Sequence, residues 1–329
     1  MKYVYVLTSS ENDLYYEQFF LSAVSLRLYN PGADIVVLLD KKTRAGLTGT
    51  RTGYEQIVSE IKIIPAPEEF SQKESSRWIK TSIRNHINGD FLFIDCDTII
   101  TENLEYDFPP ELKIGSVLDT HVPLSKHHLY EAFQQEDKRL GFCSSLETDV
   151  RYNGGFIFCR DGPDGTAFFE KWHSLWLQGR KKGISQDMPS LNQANYELNG
   201  IITALNGGWN CQISHNGLPY LHDAKIIHYY ATSLLSFTPP YTLAGNEVLL
   251  SVKKNGIISP EIMEQLKNPR AAFSVKSRII ADQDSIDILE SAYFSKLLWL
   301  RREHQGIFNK LNFFIARIKK PRLGNKKNV

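Results

Sequence analysis

The chain has 329 residues, 42% of them hydrophobic and 23% charged, which is ordinary for a soluble globular protein of one large domain plus an appendage, or of two domains. Its apolar runs are all too short for a transmembrane helix, which argues against an integral membrane protein. Residues 296–329 hold ten basic residues and one acidic residue, a net of +9 that leaves −8 for the rest. An acidic body with a basic end indicates a separate anionic partner for that end.

The N-terminal residues predict a βαβ unit, the building block of a parallel sheet. A core strand is predicted over Tyr3–Leu7, and a helical pattern begins near Asp13. Asn30, Pro31 and Gly32 end that helix, and a second buried strand is predicted over Asp34–Asp40.

The cellular compartment is predicted from two features. The opening residues become polar too quickly for a signal peptide. The four cysteines show neither zinc-ligand nor redox spacing, which favours free thiols in a reducing compartment; they are Cys96, Cys143, Cys159 and Cys211. We therefore expect a cytoplasmic protein.

Two carboxylates follow a central apolar run. A short strand (61–65) and a helix (77–86) lead to Phe91–Ile94, which runs straight into Asp95 and, one residue further, Asp97. Such a run is typical of a strand buried on both faces of a parallel sheet, at whose carboxyl end ligands bind. Two carboxylates one residue apart point to the same side and can hold a divalent cation. A pair that only caps a turn is the alternative.

The second half of the chain predicts further strands and helices. A strand over Lys113–Leu118 ends at Asp119, and a glycine-bearing turn precedes an apolar strand within Tyr152–Arg160. Helices are predicted around 166–177 and 189–198, a loop over 207–210, and a late strand over 224–230 that carries His228. Composition changes after Ser236, so we predict a catalytic domain over 1–235 and a mostly helical extension over 236–329.

Seven motifs occur in the order found in one enzyme family. They are Tyr15, Lys80, Asp95-Cys96-Asp97-Thr98, Asp119, Asn153-Gly154-Gly155, Asp187 before Leu191-Asn192, and His228 after two isoleucines. With these motifs, residues 1–235 resemble the retaining nucleotide-sugar glycosyltransferases of family 8, the group of glycogenin and of bacterial lipopolysaccharide galactosyltransferases. The resemblance implies the GT-A fold, a Rossmann-like mixed and mostly parallel sheet flanked by helices. It also implies a UDP-sugar donor with Mn²⁺ or Mg²⁺.

The resemblance assigns roles residue by residue. It implies Asp95, Asp97 and His228 as metal ligands, and Asp119, Gln186 and Asp187 as catalytic candidates. The residues it places at the donor are Thr8, Tyr15, Lys80, Asp95, Asn153, Gly154 and Gly155. Taken alone, His228 and Tyr15 fit core positions, Lys80 a solvated helix position and Asn153 a turn cap. Trp209 and Asn210 either line the acceptor side or pack a loop.

Two departures from the family pattern affect the predicted chemistry. Met188 stands where the family has glutamine, and Gln186 lies on the other side of Asp187. After His228, Ala231 replaces a glycine and Leu234 a lysine that contacts the diphosphate. These changes concern the catalytic group and the leaving group more than the fold or the metal.

The basic end predicts an amphipathic helix. Its apolar positions fall on one stripe, namely Ile307, Phe308, Leu311, Phe314, Ile315 and Ile318. Such a helix with basic residues beyond it is typical of a membrane-surface anchor, and a helix docked on the body is the alternative. We expect no nucleic-acid binding, because the body is acidic.

These patterns together predict a metal-dependent hexosyltransferase. It would use a UDP-sugar, with retention, and a saccharide or lipid-linked saccharide acceptor in cell-surface polysaccharide or lipopolysaccharide assembly. Its place would be the cytoplasm, at the inner face of the plasma membrane where the anchor binds. The alternative is a nucleotide-sugar-binding scaffold protein of the same fold that has lost transfer activity.

Overall fold

The computed structural model describes residues 1–213, 215–229, 243–273 and 291–316. It contains two compact units, Met1–Ala272 and Phe273–Val329. The strands are β1 (Lys2–Leu7), β2 (Asp34–Leu39), β3 (Glu60–Ile63), β4 (Phe91–Ile94), β5 (Thr98–Ile100), β6 (Ile114–Ser116), β7 (Phe156–Cys159), β8 (Ile202–Ala204), β9 (Cys211–Gln212) and β10 (Ile226–His228). The α-helices are α1 (Tyr15–Tyr29), α2 (Lys41–Gly46), α3 (Gln72–Thr81), α4 (Tyr130–Leu140), α5 (Ser144–Glu147), α6 (Pro163–Lys181), α7 (Met188–Glu197), α8 (Asn246–Asn255), α9 (Pro260–Lys267), α10 (Ala292–Glu303) and α11 (Gln305–Ala316).

A seven-stranded sheet with the order β3-β2-β1-β4-β7-β6-β8 forms the centre of the first unit. β7 is antiparallel to both neighbours, and the other pairs are parallel. β1 and β2 pair from Lys2↔Asp34 to Leu7↔Leu39, and their inner residues are buried as the apolar runs predict. The predicted class, a mixed and mostly parallel sheet flanked by helices, is confirmed.

A smaller sheet with the order β5-β10-β9 lies where the chain leaves β4. β4 ends at Ile94, as the sequence predicts, and a turn at Asp95–Asp97 leads into β5. β5 pairs antiparallel with β10, so that His228 lies opposite Thr98. This register places the end of β10 beside the Asp95–Asp97 turn.

The third helix differs from its predicted position. α3 begins at Gln72 because Ser71 and Glu74 form a capping box, in which the Ser71 backbone N–H donates to Glu74 Oε2 at 2.9 Å. It ends at Thr81, and a 3₁₀ turn over Ile83–Asn85 follows. The prediction of a helix over 77–86 therefore began too late and merged two elements.

The C-terminal part divides differently from the predicted boundary after residue 235. The first unit continues to Ala272, because α8 and α9 pack on α1 and the Tyr29 hydroxyl donates to the Lys267 carbonyl at 2.8 Å. The described part of the second unit contains α10 and α11. Residues 230–242 and 317–329 lie outside the described residues. Within the described parts of the chain, every helix is too short or too polar to cross a bilayer.

Candidate active site

A cavity of about 610 Å³, here the first cavity, opens where β1 and β4 end. The end of β1, the start of α1, one side of α3 and the turn after β4 form its wall. Three predicted donor residues, Thr8, Tyr15 and Asp95, lie on this wall. Tyr15 is 38% exposed, so the alternative of a core tyrosine is wrong. The cavity lies at the sheet edge where open α/β proteins bind their ligands.

A buried ion pair holds the loop between β1 and α1 beside this cavity. The Arg51 guanidinium contacts both carboxylate oxygens of Glu17 at 2.8 Å, and both side chains are almost fully buried. Arg51 also donates to the carbonyls of Ser10 and Asp13 at 2.6 and 2.7 Å. A bidentate arginine with all these partners fixes the loop in one position.

Asp95, Asp97 and His228, here the triad, come together at the end of the first cavity. Each offers one ligand atom, and these atoms lie within 4.8 Å of one another. The backbone is fixed on both sides, because the Asp95 N–H donates to the Gly155 carbonyl at 2.9 Å and the Tyr229 N–H to the Asp97 carbonyl at 3.0 Å. Two carboxylates and an imidazole are a donor set that fits Mn²⁺ or Mg²⁺. The three predicted ligand residues thus form one candidate cation site.

The electrostatics of the triad favour a cation. His228 Nε2 lies 3.2 Å from Asp97 Oδ1. Burial alone would raise the pKa of Asp97, but His228, a backbone hydrogen bond and the charge of Lys80 together lower it. Burial alone would lower the pKa of His228, and the Asp97 carboxylate outweighs it and raises that pKa. The pair therefore favours an ionised Asp97 beside a protonated imidazole, and a metal ion would take the place of the proton on His228 Nε2.

Lys80 lies between the triad and a third carboxylate, Asp187. Its ammonium is 3.0 Å from Asp187 Oδ2 and 3.3 Å from Asp95 Oδ1, and its side chain is only 5% exposed. A solvated helix lysine, the alternative from the sequence, is therefore excluded. Burial would lower the pKa of Lys80, but the carboxylates of Asp187 and Asp95 raise it above its usual value. Lys80 is a fixed positive charge at this site.

Asp187 has a second cationic partner, Arg77, which sequence reasoning missed. Arg77 Nε lies 3.2 Å from Asp187 Oδ1, one helical turn before Lys80 on α3. Burial alone would raise the pKa of Asp187, but the charges of Lys80 and Arg77 hold it well below its usual range. The i, i+3 spacing of Arg77 and Lys80 puts both on one face and was visible in the sequence.

Asp119 occupies a comparable environment at the end of β6. Its Oδ2 lies 3.4 Å from His127 Nε2 and 3.9 Å from Arg151 Nε. The Arg151 guanidinium in turn stacks 3.7 Å from the ring centre of Phe133. Burial would raise the pKa of Asp119, but hydrogen bonds from His127 and Asn153 and the charge of Arg151 lower it. His127 and Arg151 carry no motif that would have identified them.

The predicted donor loop Asn153-Gly154-Gly155 packs directly against the triad. The Asn153 Oδ1 accepts from the Gly155 N–H at 2.9 Å, so this side chain does cap the turn. A Cβ at Gly155 would lie 2.5 Å from His228 Cε1, which explains the glycine. Gly154 lies against Lys80 and Asp187, where a Cβ would be 3.4 Å from each charged group. Donor contact by this loop remains a prediction.

A second cavity of about 630 Å³ lies on the far side of Asp187. It is lined by one face of α4, by the start of α7 and by Asp119, and Arg77 borders both cavities. Gln186 and Met188 lie on its wall, and Gln186 is exposed. All three catalytic candidates (Asp119, Gln186 and Asp187) therefore surround one space.

Trp209 and Asn210 have different surroundings in the structure. Trp209 packs on Phe108 and Phe156 at ring-centre distances of 5.1 and 5.7 Å, which is loop packing. Asn210 is fully buried and contacts His228 and Asn153. Of the two, only Asn210 reaches the site.

Comparison with known proteins finds similarity to solved structures alone. No protein-family model and no curated protein matches the chain. The structure is similar to mouse xyloside xylosyltransferase 1 in its apo form, with 15% identity, a TM-score of 0.45, and coverage of 71% of this chain and 99% of the other. It is also similar to the galactosyltransferase LgtC in complex with donor and acceptor sugar analogues, with 15% identity, a TM-score of 0.47, and coverage of 81% and 100%.

Proposed function

We propose that this protein is a metal-dependent glycosyltransferase of the retaining family-8 type. It would transfer a hexose from a UDP-sugar to a saccharide or lipid-linked saccharide acceptor in cell-surface polysaccharide or lipopolysaccharide assembly. The observation that carries the proposal is the triad at the end of the first cavity, with Lys80 beside it. The carboxylates and the imidazole of the triad can hold a cation, and the buried Lys80 ammonium adds positive charge next to it. This arrangement suits a diphosphate bound together with a metal ion.

The donor would lie in the first cavity. Tyr15, exposed on the wall, can stack on the uracil, and Thr8 lies at the end of β1 nearby. Asp95, Asp97 and His228 would hold Mn²⁺ or Mg²⁺, which when bound neutralises charge on the departing diphosphate as a Lewis acid. The Lys80 ammonium supplies further positive charge from the protein itself.

The two cation-paired carboxylates would position the sugar. Asp187 and Asp119 both have lowered pKa values, so both stay ionised and accept hydrogen bonds from sugar hydroxyls. Asp187 is also neutralised by two cations, which makes it a weak base and a weak nucleophile. We therefore propose a same-face transfer in which the leaving phosphate takes the acceptor proton. An ionised carboxylate near the anomeric carbon also stabilises an oxocarbenium-like transition state.

The second cavity would take the acceptor. Its volume falls in the range of ligand sites, and Asp187 and Arg77 separate it from the first cavity. Gln186, Asp119 and Glu136 offer groups that bind hydroxyls, while Phe133 and Met188 offer apolar surface to sugar faces. This mixture suits a neutral saccharide.

Activity can be tested by measuring UDP release from a panel of UDP-sugars with and without Mn²⁺. We expect one donor to be turned over only with the metal. If calorimetry detects no binding of UDP or UDP-sugars even with Mn²⁺, the proposal is wrong.

The C-terminal helices would hold the enzyme at an anionic membrane surface. Four side chains of the predicted stripe on α11 are exposed (Ile307, Leu311, Phe314 and Ile315), and Phe308 is half-buried. Ile318 and the basic residues after it lie outside the described residues. We expect full-length protein to sediment with anionic vesicles at low salt, and a chain that ends at Ser295 to remain in solution while still binding UDP-sugar. Equal sedimentation of both would contradict the anchor.

The second candidate function is a nucleotide-sugar-binding scaffold. Met188 favours it, because an apolar thioether lines the second cavity beside Asp187 where the family has an amide. It predicts UDP-sugar binding without hydrolysis and without transfer to any saccharide tested.

A further inference from the structure

A continuous series of hydrogen bonds joins Asp119 in the second cavity to His228 in the triad. Asn153 Nδ2 donates to Asp119 Oδ1 at 3.0 Å, and Asn210 Nδ2 donates to Asn153 Oδ1 at 3.0 Å. Asn210 Oδ1 lies 2.9 Å from His228 Nδ1. We call Asn153 and Asn210 the amide chain. Asn210 is fully buried, and the other three residues are at most 6% exposed.

The direction of each hydrogen bond in the amide chain is fixed from its ends. An ionised carboxylate only accepts, so the Asn153 group that faces Asp119 must be its NH₂. Asn153 Oδ1 then accepts from the Gly155 N–H, at 2.9 Å, and from Asn210. The Asn210 NH₂ is thereby committed to Asn153, and only its oxygen is left to face His228.

The tautomer of His228 follows from this direction. Because Asn210 presents an oxygen, His228 Nδ1 must carry a proton and donate it. In the neutral imidazole the electron pair is then on Nε2, the atom that lies 3.2 Å from Asp97 Oδ1. A histidine binds a metal through the nitrogen opposite its hydrogen-bonded N–H.

We propose that Asn210 is a positioning residue that fixes His228 as the Nδ1–H tautomer and so directs Nε2 at the cation held by Asp95 and Asp97. The inference rests on the proposed metal site, and it adds a residue that no motif identified. It also connects the cation site to Asp119, because the Asp119 carboxylate fixes the direction of every hydrogen bond in the amide chain.

The experiment measures the affinity of the full-length protein for Mn²⁺ alone by calorimetry. Asn210→Ala removes the acceptor, and loss of a hydrogen-bond partner of a metal-binding histidine lowers affinity by about 10- to 100-fold. Asn210→Asp keeps an oxygen facing His228 Nδ1 but loses the NH₂ that donates to Asn153 Oδ1. If the acceptor at Nδ1 is what matters, we expect Asn210→Asp to bind Mn²⁺ at least about fivefold more tightly than Asn210→Ala.

A matched control is Asn206→Ala. Asn206 Oδ1 accepts from the Gly208 N–H at 2.8 Å and caps the 3₁₀ turn that carries Asn210, without belonging to the amide chain. We expect it to leave Mn²⁺ affinity unchanged. Equal losses in Asn206→Ala and Asn210→Ala would mean that the effect is loop structure, and the proposal would be overturned.

Nitrogen-15 NMR of histidine-labelled protein titrated with Mg²⁺ gives a readout independent of activity. We expect His228 of wild type to reach the state with a protonated Nδ1 and an unprotonated Nε2 at a lower Mg²⁺ concentration than His228 of Asn210→Ala. A protonated Nε2 in the Mg²⁺-saturated wild-type protein would overturn the assignment.

Different experimental results would contradict the role of Asn210 and the proposed metal site. If wild-type protein binds neither Mn²⁺ nor Mg²⁺, both the metal site and the role of Asn210 are wrong. If wild type binds Mn²⁺ and Asn210→Ala binds it equally well, only the role of Asn210 is wrong.

Discussion

Two groups of carboxylates lie at the same edge of the sheet, and the protein neutralises them differently. Asp187 is buried between two cations, Lys80 at 3.0 Å and Arg77 at 3.2 Å. Asp95 and Asp97 share Lys80 and the imidazole of His228. The charge of Asp187 is therefore balanced by groups of the protein itself. The second has two carboxylates that share Lys80 with Asp187, so the proposed divalent ion would complete its charge balance.

The two groups of carboxylates therefore differ in what their charge does: one stabilises the fold, and the other is suited to bind a cation. A buried carboxylate with its own cations stabilises the fold and offers its oxygens to neutral hydroxyls. A carboxylate pair with too little positive charge of its own binds a cation instead. Changes in the two groups should therefore alter different measured quantities.

The largest effect on stability is expected from Asp187→Asn. It leaves the buried Lys80 and the partly exposed Arg77 without their shared partner, and breaking a buried pair such as Lys80–Asp187 costs about 3–5 kcal/mol of unfolding free energy. Urea denaturation measures the change. The control is Glu264→Gln in the exposed pair with Lys267, where we expect a loss below about 1 kcal/mol. Similar losses in both variants would contradict the comparison.

The Asp187 effect should depend on pH. The folded pKa of Asp187 lies below its unfolded value, so its contribution is fully present above about pH 4 and is lost as pH falls towards the folded pKa. The gap between wild type and Asp187→Asn should therefore narrow in acid. A gap that widens as pH falls would be inconsistent with a depressed pKa.

Asp97→Ala should instead abolish metal binding. We expect Mn²⁺ affinity to fall by at least about 100-fold, or about 2.7 kcal/mol, with metal-dependent UDP binding lost and the circular dichroism spectrum unchanged. Asp223→Ala removes the same charge from an exposed position and serves as the control. Retained Mn²⁺ binding in Asp97→Ala would exclude the triad as the cation site.

Lys80→Met tests the residue that both groups share. Mn²⁺ alone should bind more tightly, because Asp95 loses its competing ammonium. UDP in the presence of Mn²⁺ should bind about tenfold more weakly, since a hydrogen bond to a charged group contributes about 1.5 kcal/mol. Lys73→Met, an exposed lysine on the same cavity wall, should change neither affinity. If both variants behave alike, Lys80 has no special role.

The smallest effect is expected from Met188→Gln. It replaces an apolar group beside Asp187 in the second cavity with an amide and leaves both charge groups intact. Hydrolysis of the UDP-sugar should rise severalfold while donor affinity stays the same. Unchanged hydrolysis in a protein that binds donor would favour the scaffold function.

Some elements follow from local sequence. The apolar runs of β1, β2 and β4 predict strands buried on both faces, and such strands form a parallel sheet in any compact α/β protein. Asp95 and Asp97 at the end of one run are placed at the binding edge by the same rule. The start of α3 could also have been predicted from the sequence, because Ser71 and Glu74 have the spacing of a capping box.

Other elements needed contacts between distant residues. β8 and β9 have three and two residues, too few to show a period, and exist because neighbouring strands supply their hydrogen bonds. β5 likewise has three residues, and its partner β10 lies far along the chain.

By itself the sequence determined the strands and the order of the motifs, because apolar periodicity and turn chemistry act between neighbours in the chain. Only the tertiary structure decided what each polar side chain does. Lys80 is a buried charge because Asp95 and Asp187 arrive from two other segments. Asn210 reaches His228 because β9, which directly follows Asn210, pairs with β10. A polar group takes its role from its partner, and here the partners are brought together by folding.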